Sequence, residues 1–240
     1  MKWSEEYKVL YHDTNSNELV GISRIFKYLQ ETATSQMRAQ RPSYNELLSQ
    51  GKAFILSGIR VEAYEPLSYG EKITVNTWGC PARGFTFPRS YQILRGDEVV
   101  CEANSTWALV DTRTKGLIKA SDVTLNYYTD DPLVLDNPIR IRIPTELSMS
   151  LVGEYTIRYT DTDVNNHMNN TNYPDMLFNV LPNPSNKIVK SIAISYQSEA
   201  KAGDLLKLYM GRTDGKYYIR SVHENGKINV EAEIIVENLD

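Results

Sequence analysis

Between Tyr159 and Asn170 the chain reads YTDTDVNNHMNN, which gathers two carboxylates, four asparagines and a histidine into one short run. Oxygen-bearing side chains at alternate positions from Asp161 resemble the start of a calcium loop. Such a loop needs glycine at its sixth position and a bidentate glutamate at its twelfth, where this chain has Asn166 and Asn172. Zinc is no better served, because His12, His167 and His223 lie far apart and form no short ligand pair. A serine nucleophile would need a G-x-S-x-G elbow, which is absent, and neither Cys80 nor Cys101 carries a local catalytic signature. Two readings stay open. One is a polar turn whose Asp and Asn side chains cap the following helix. The other is a metal-free site of carboxylate and imidazole. In an extended stretch Asp163, Asn165 and His167 would share one face ahead of a helix N-terminus, whose free N–H groups can polarise a carbonyl. Glu199, at the end of a strand containing Ile192, Ile194 and Tyr196, is either a solvated strand end or a further member of that site.

The elements that must hold these groups are readable from periodicity. Ile22, Ile25, Phe26, Leu29, Ala33 and Met37 recur at spacings of three and four, which predicts a helix over 20–37 with one buried face. Ser43 should cap a short second helix through Leu47 and Leu48. From Ile55 the period becomes two, with Ile59, Val61 and Ala63, then Ile73, Val75 and Thr77, then Phe85 and Phe87, then Tyr91 and Ile93, and finally Val99 to Leu109. Arg95-Gly96-Asp97 reads as a hairpin turn. Residues 120–149 contain Pro132, Pro138 and Pro144 without sustained period and read as a crossover linker. Beyond them a strand is predicted over Tyr155 to Asp161, then the polar loop, then a short helix near Tyr173, Met176, Leu177 and Val180 with Pro174 in its first turn. Four strands follow, at 188–197, 205–212, 217–224 and 228–236.

The two halves are related. YHDTNSNELVG, from Tyr11, aligns with YTDTDVNNHMN, from Tyr159, at an offset of 159 − 11 = 148, matching Tyr, Asp, Thr and Asn. GIRVEAYEPLSYGEKITV aligns with SIAISYQSEAKAGDLLKL when Gly70 is laid on Gly203, an offset of 133. A repeat of strand, loop, helix and antiparallel sheet predicts an α+β fold in which each sheet wraps a helix. It also separates residues by role. Shared Tyr159, Asp161, Thr162 and Asn165 are candidates for shaping the loop. His167 faces Leu19 in the other copy, Asp163 faces Asn15, and Glu199 faces Pro66, so the second copy is the better candidate for chemistry.

With 240 residues and a net charge of −4 the chain can bury large cores but has no basic surplus for nucleic acid. Two cysteines without metal spacing suggest a reducing compartment, and the absence of a visible signal peptide or long apolar run points to the cytoplasm.

D-x-N-x-H-x-N-N at Asp163, Asn165, His167, Asn169 and Asn170, followed by Glu199 in YQSEA, resembles the acyl-acyl carrier protein thioesterases. YKVLYHDTN, VEAYEPLSYGEKITVNTW and STWALVDTRTKGLIK extend the resemblance over nearly the whole chain. It implies two tandem hotdog domains, 1–119 and 150–240, joined by the linker 120–149. It also implies hydrolysis of fatty acyl thioesters on acyl carrier protein, without metal or dissociable cofactor. The catalytic set carried over is Asp163, Asn165, His167 and Glu199. Glu199 would serve as base for water, His167 as its partner and Asp163 as the orienting group, while Asn165 and helix N–H groups would receive the oxyanion. A carboxylate could instead attack directly. Ala200 stands where many plant members have cysteine, which argues against a thiol nucleophile. The acyl chain would lie in the first domain along Ile25, Phe26, Leu29 and Met37, with Arg83, Arg89, Lys187 or Lys190 as candidates to meet the acidic carrier. No membrane partner is expected, and a homodimer is possible. The alternatives are an acyl-coenzyme A thioesterase of the same fold and a silent acyl-thioester-binding module.

Overall fold

A computed structural model describes residues 2–126 and 128–239. Each half opens alike. Strands β1 (Trp3–Lys8) and β7 (Ser150–Thr156) run into single 3-10 turns at Tyr11–Asp13 and Tyr159–Asp161. The turns are closed by the aspartate side chains, Asp13 Oδ2 accepting from Leu10 N and Asp161 Oδ2 from Arg158 N, each at 2.8 Å. The strand predicted over Tyr155 to Asp161 therefore stops at Thr156, because the Asp161 carboxylate offers the backbone an alternative to the ladder. β1 is the strand that the repeat places ahead of the first loop; it is a six-residue edge strand paired with β3.

After each turn the repeat diverges. α1 (Ile22–Ala39) buries Ile22, Ile25, Phe26, Leu29 and Ala33, each worth about 1.5–3 kcal/mol for the larger side chains. Polar residues on α1 are buried too, and each is partnered. Tyr28 donates to Asp13 Oδ2 at 2.9 Å, Thr32 donates to the Tyr28 carbonyl, and Gln36 Oε1 accepts from Arg89. Its counterpart α3 (Tyr173–Phe178) has only six residues, with Pro174 in the first turn where no N–H is missed. The two helices meet through a reciprocal pair, Ser23 N to Asp175 Oδ1 at 3.3 Å and Asp175 N to Ser23 Oγ at 3.1 Å. α2 (Tyr44–Ser49) is capped by Ser43 as its sequence requires.

The remaining strands are β2 (Lys52–Ala63), β3 (Lys72–Gly79), β4 (Phe87–Arg95), β5 (Glu98–Asp111), β6 (Leu117–Ile118), β8 (Lys187–Tyr196), β9 (Leu205–Thr213), β10 (Lys216–His223) and β11 (Ile228–Asn238). They form one antiparallel sheet in the order β1-β3-β4-β5-β2-β8-β11-β10-β9-β7, with β6 on β5. The order is palindromic under the repeat. At the join Arg60 pairs with Ala193, and 60 + 133 = 193, so the pseudo-twofold passes through that pair. Val61 against Ile192 and Ile59 against Ile194 are then the same contact seen from each half.

Two expectations change in β4 and β5. Phe85 is exposed in the turn ahead of β4. A bulge at Ile93/Leu94 shifts the register against β5, so Val100, not Val99, enters the core. Cys80 and Cys101 are buried and unpaired.

The stretch after β6 crosses the sheet face turned away from α1. Its backbone carbonyls take side-chain donors in turn: Trp78 Nε1 to Asp131, Asn104 Nδ2 to Leu133 and Arg60 Nε to Pro138, at 3.1, 2.7 and 2.7 Å. Arg60 is fully buried and also donates to Ser191 Oγ and Glu233 Oε1, each at 2.8 Å. One guanidinium thus holds the strap to both halves.

Candidate active site

The polar loop is a closed turn, not the extended stretch expected. Asp163 N donates to the His167 carbonyl at 2.9 Å, Asn166 N donates to the Asp163 carbonyl at 3.0 Å, and Asn166 takes a left-handed φ of 60°. Asp163 Oδ1 accepts from Asn165 N at 2.8 Å, and the Asn165 amide approaches Asp163 Oδ2 at 3.5 Å. The consequence is a division of the predicted set. Asp163 and Asn165 face each other within the turn, and among the described residues no hydrogen bond joins either to the side chains of His167 or Glu199. His167 leaves the turn towards Glu199, with Nε2 to Oε2 at 3.1 Å. The imidazole is largely covered and the carboxylate 66% exposed, so the pair stands at the surface with one member open to water.

That contact depends on the segment carrying Glu199. Met168 N donates to the Ala200 carbonyl at 2.8 Å, stitching the loop to the strand end. The first half makes the equivalent bond from Val20 N to the Leu67 carbonyl, also at 2.8 Å, since 20 + 148 = 168 and 67 + 133 = 200. Its turn is equivalent as well: Asn15 Oδ1 accepts from Asn17 N at 2.9 Å, and Glu18 takes φ 61° where Asn166 takes 60°. Asn15 therefore performs the turn role of Asp163. What distinguishes the halves at this position is chemistry at two side chains, Leu19 for His167 and Pro66 for Glu199.

A second layer of residues, not found from the sequence, fixes the strand end. Asn229 is fully buried; its carbonyl accepts from Gln197 N and Ser198 N, and its amide donates to the Ser198 carbonyl at 2.6 Å and Tyr173 Oη at 3.1 Å. Tyr173 packs edge-on to Tyr196 at 5.5 Å, and Tyr196 Oη donates to the Asn170 carbonyl at 3.0 Å. The legible sign was a lone asparagine ahead of the apolar alternation of β11. Burial pushes the Tyr173 hydroxyl up to about 12, so it serves as a neutral bonding group.

Ser198, His223 and Asp204 look like a triad by composition but not by geometry. Ser198 Oγ donates to the Ile228 carbonyl at 2.7 Å, which leaves it accepting from His223 Nε2 at 3.2 Å, and His223 Nδ1 is 3.9 Å from Asp204. The serine proton points at a carbonyl, so this is a structural tie. Two N–H groups at the α3 end are occupied, Thr171 N by Asn169 Oδ1 at 3.0 Å and Asp175 N by Ser23 Oγ at 3.1 Å, while Asn165, among the expected oxyanion donors, is open to solvent.

The model of the acyl-ACP thioesterase N-terminal domain matches residues 1–128, and that of the C-terminal domain matches 145–238. The chain belongs to the acyl-ACP thioesterase family. The fold of this family is here two hotdog units, each an antiparallel sheet around a helix. A solved acyl-ACP thioesterase from Bacteroides thetaiotaomicron superposes with a TM-score of 0.88 at 18% identity, over 98% of this chain and 97% of that one. The 12:0-ACP thioesterase of Umbellularia californica superposes at 0.82 and 15% identity, over 99% and 97%. The palmitoyl-acyl carrier protein thioesterase of Cuphea hookeriana is 22% identical over 70% of this chain and 44% of its own length. Oleoyl-acyl carrier protein thioesterase 2 of Arabidopsis thaliana is 23% identical over 85% and 61%. The chain thus spans about half the length of the curated relatives it matches.

The residues expected along the acyl path fall in three places. Phe26 and Leu29 are packed in the core, at 3% and 2% exposure. Met37 lines a small cavity of about 20 Å³ with Phe54, Phe87 and Trp107, and Ile25 lines a larger one at the other end of α1. Of the cations proposed to meet a carrier, Arg83 is exposed, but Arg89 is buried and bonded to Gln36 and Thr77, so it ties α1 to β3 and cannot meet a partner. Among the described residues no helix is long and apolar enough to cross a membrane.

Proposed function

We propose that the protein hydrolyses the thioester of fatty acyl-acyl carrier protein, releasing the free fatty acid and ending chain growth. The observation that carries this reading is the 3.1 Å contact of His167 with Glu199 in a thioesterase-family fold whose other copy has Leu19 and Pro66 instead. Glu199 takes a proton from water while the water oxygen attacks the thioester carbonyl carbon. His167, hydrogen-bonded to the carboxylate, holds it in place. The Asn165 amide receives the developing oxyanion. Collapse breaks the carbon–sulphur bond, and the thiolate leaves with the proton from Glu199, giving carboxylic acid and carrier thiol. A group acting this way contributes ~10²–10⁴ in rate. Asp163 holds the turn that presents Asn165 and His167.

The proposal also takes 1–119 and 150–240 as the two domains and 120–149 as their linker, with the acyl chain entering the first domain along α1 towards Met37. Buried, unpaired cysteines fit a reducing, cytoplasmic setting. The experiment is acyl release from a panel of acyl carrier protein and coenzyme A thioesters of matched chain lengths, with Glu199→Ala and His167→Ala as controls. Loss of hydrolysis in both variants and preference for the carrier protein are expected. Unchanged hydrolysis in the variants would remove the site, and a marked coenzyme A preference would replace the substrate.

A further inference from the structure

A cavity of about 400 Å³ lies beside the first copy of the loop, within the usual range for small-molecule sites. Its wall includes Leu19 and Pro66, the two residues that stand where the second half has His167 and Glu199. It is bounded from the other half by Asp175, Phe178 and Asn179, in and just past α3, and by Lys187 to Lys190 at the start of β8. It is separate from the His167–Glu199 pair, since Glu199 lies beyond the opposite end of β8, whose ten residues span ~30 Å. The pseudo-twofold through Arg60 and Ala193 exchanges the two positions.

We propose that this cavity is a second acyl-pantetheine site that binds the thioester without cleaving it. The proposal rests on the thioesterase reading of the His167–Glu199 site. The backbone frame that presents the reacting groups in one half is kept in the other, down to the left-handed residue and the bond from Val20 N to the Leu67 carbonyl. A leucine and a proline can neither accept a proton from water nor orient a group that does. Of the other acid–base groups on this wall, Asp13 is bonded to Leu10 N and Tyr28 and Asp175 to Ser23 N, and His12 and Glu65 stand outside the two positions of the reacting pair. A thioester held there lacks the pair that would cleave it. The cavity offers apolar wall at Ile22 and Ile25 for the acyl chain and an amide at Asn179 for the pantetheine amides; its carboxylates, Asp13, Glu65 and Asp175, are outnumbered by Arg24, Lys27, Lys187 and Lys190, which leaves a cation for the phosphate.

Gly21 gives a means of testing it. It lines the cavity at ordinary φ −66°, and a Cβ there would meet nothing within 4 Å, so a large side chain can fill the space without backbone strain. The ligand to use is 4′-phosphopantetheine amide-linked to octanoyl, dodecanoyl or hexadecanoyl chains, with nitrogen replacing the thioester sulphur, in a photoreactive form. Binding to the unaltered protein is measured by calorimetry and adducts are located by peptide mapping. Two molecules per chain are expected, with one set of adducts on 12–25 or 187–190, and Gly21→Trp should reduce the count to one and remove that set. One molecule per chain, with adducts confined to the segments around His167 and Glu199, overturns the proposal, as does a second set that survives Gly21→Trp. Should Gly21→Trp fail to fold, the adduct map on unaltered protein decides alone. Free fatty acid competing at that set better than the amide analogue also overturns it. Hydrolysis of the corresponding thioesters is followed in parallel; its absence would refute the enzymatic reading without changing the count of sites.

Discussion

Glu199 and His167 are the two side chains by which one copy of an otherwise shared frame differs chemically from the other. Glu199→Ala is expected to lower kcat by ~10²–10⁴. Because the carboxylate is 66% exposed, its removal should leave stability within about 0.5 kcal/mol, as denaturant titration would check. The double variant with His167→Ala should lose little more than either single one, since the two act as a unit. Asp163 behaves differently. Its carboxylate is engaged with Asn165, and Asn15 makes the same turn in the first half. Asp163→Asn should therefore retain most of the activity, whereas Asp163→Ala should lose the turn and with it the placement of His167. Steady-state kinetics on both variants decides this, and equal large losses would mean that the Asp163 charge itself takes part. The sequence comparison singled out Asp163 and His167 alike as residues of the second copy. It could not show that asparagine and aspartate supply the same oxygen to the same N–H.

At the level of elements, the distance between His167 and Glu199 is set by pieces that neither residue belongs to. Asn229 on β11 bonds the strand end at Ser198 and the first residue of α3 together. Asn229→Ala strips the buried Tyr173 and Ser221 hydroxyls of a partner at ~1–3 kcal/mol each, and the Ser198 carbonyl of its donor, so Tm should fall by several degrees. As the Glu199 segment loosens, kcat should fall more than KM rises, measurable below the new transition. Asn166 must hold φ 60°, so Asn166→Val should cost of order 1–3 kcal/mol while Asn166→Gly is tolerated. Helices, the hairpin at Gly96 and the later strands followed directly from periodicity. The elements that did not were those ruled by a single local competitor: Asp161 ending a strand, the bulge at Ile93 exchanging Val99 for Val100, and the turn at Asp163 replacing an extended run.

For the whole molecule, the join of the two halves rests on Arg60. Buried on the pseudo-twofold, it bonds Glu233, Ser191 and the strap at Pro138. Arg60→Met should destabilise by ~3–5 kcal/mol, because Glu233 then stays buried with Lys216 as its remaining cation. Burial alone would raise the Glu233 carboxyl, but Arg60 and Lys216 outweigh it and hold it below the usual carboxylate range. A depressed native value means that the stabilisation is present above the unfolded-state value of about 4.3 and is lost as pH falls through the native one. Unfolding free energy measured at stepped acid pH should thus drop more steeply in the unaltered protein than in Arg60→Met. The sequence by itself determined the repeat, the α+β character, the helical and most strand positions, and the family resemblance, because these are carried by period and by residues close in the chain. Only the tertiary structure decided that the Glu199 carboxylate meets the His167 imidazole while the Asp163 carboxylate does not, that Arg89 is buried, and that a cavity occupies the silent copy. The first two depend on how loop, helix and strand pack within one half, between residues as far as 32 and 53 positions apart, and the cavity on the pairing of β2 with β8, more than a hundred positions apart; no local period encodes contacts of either kind.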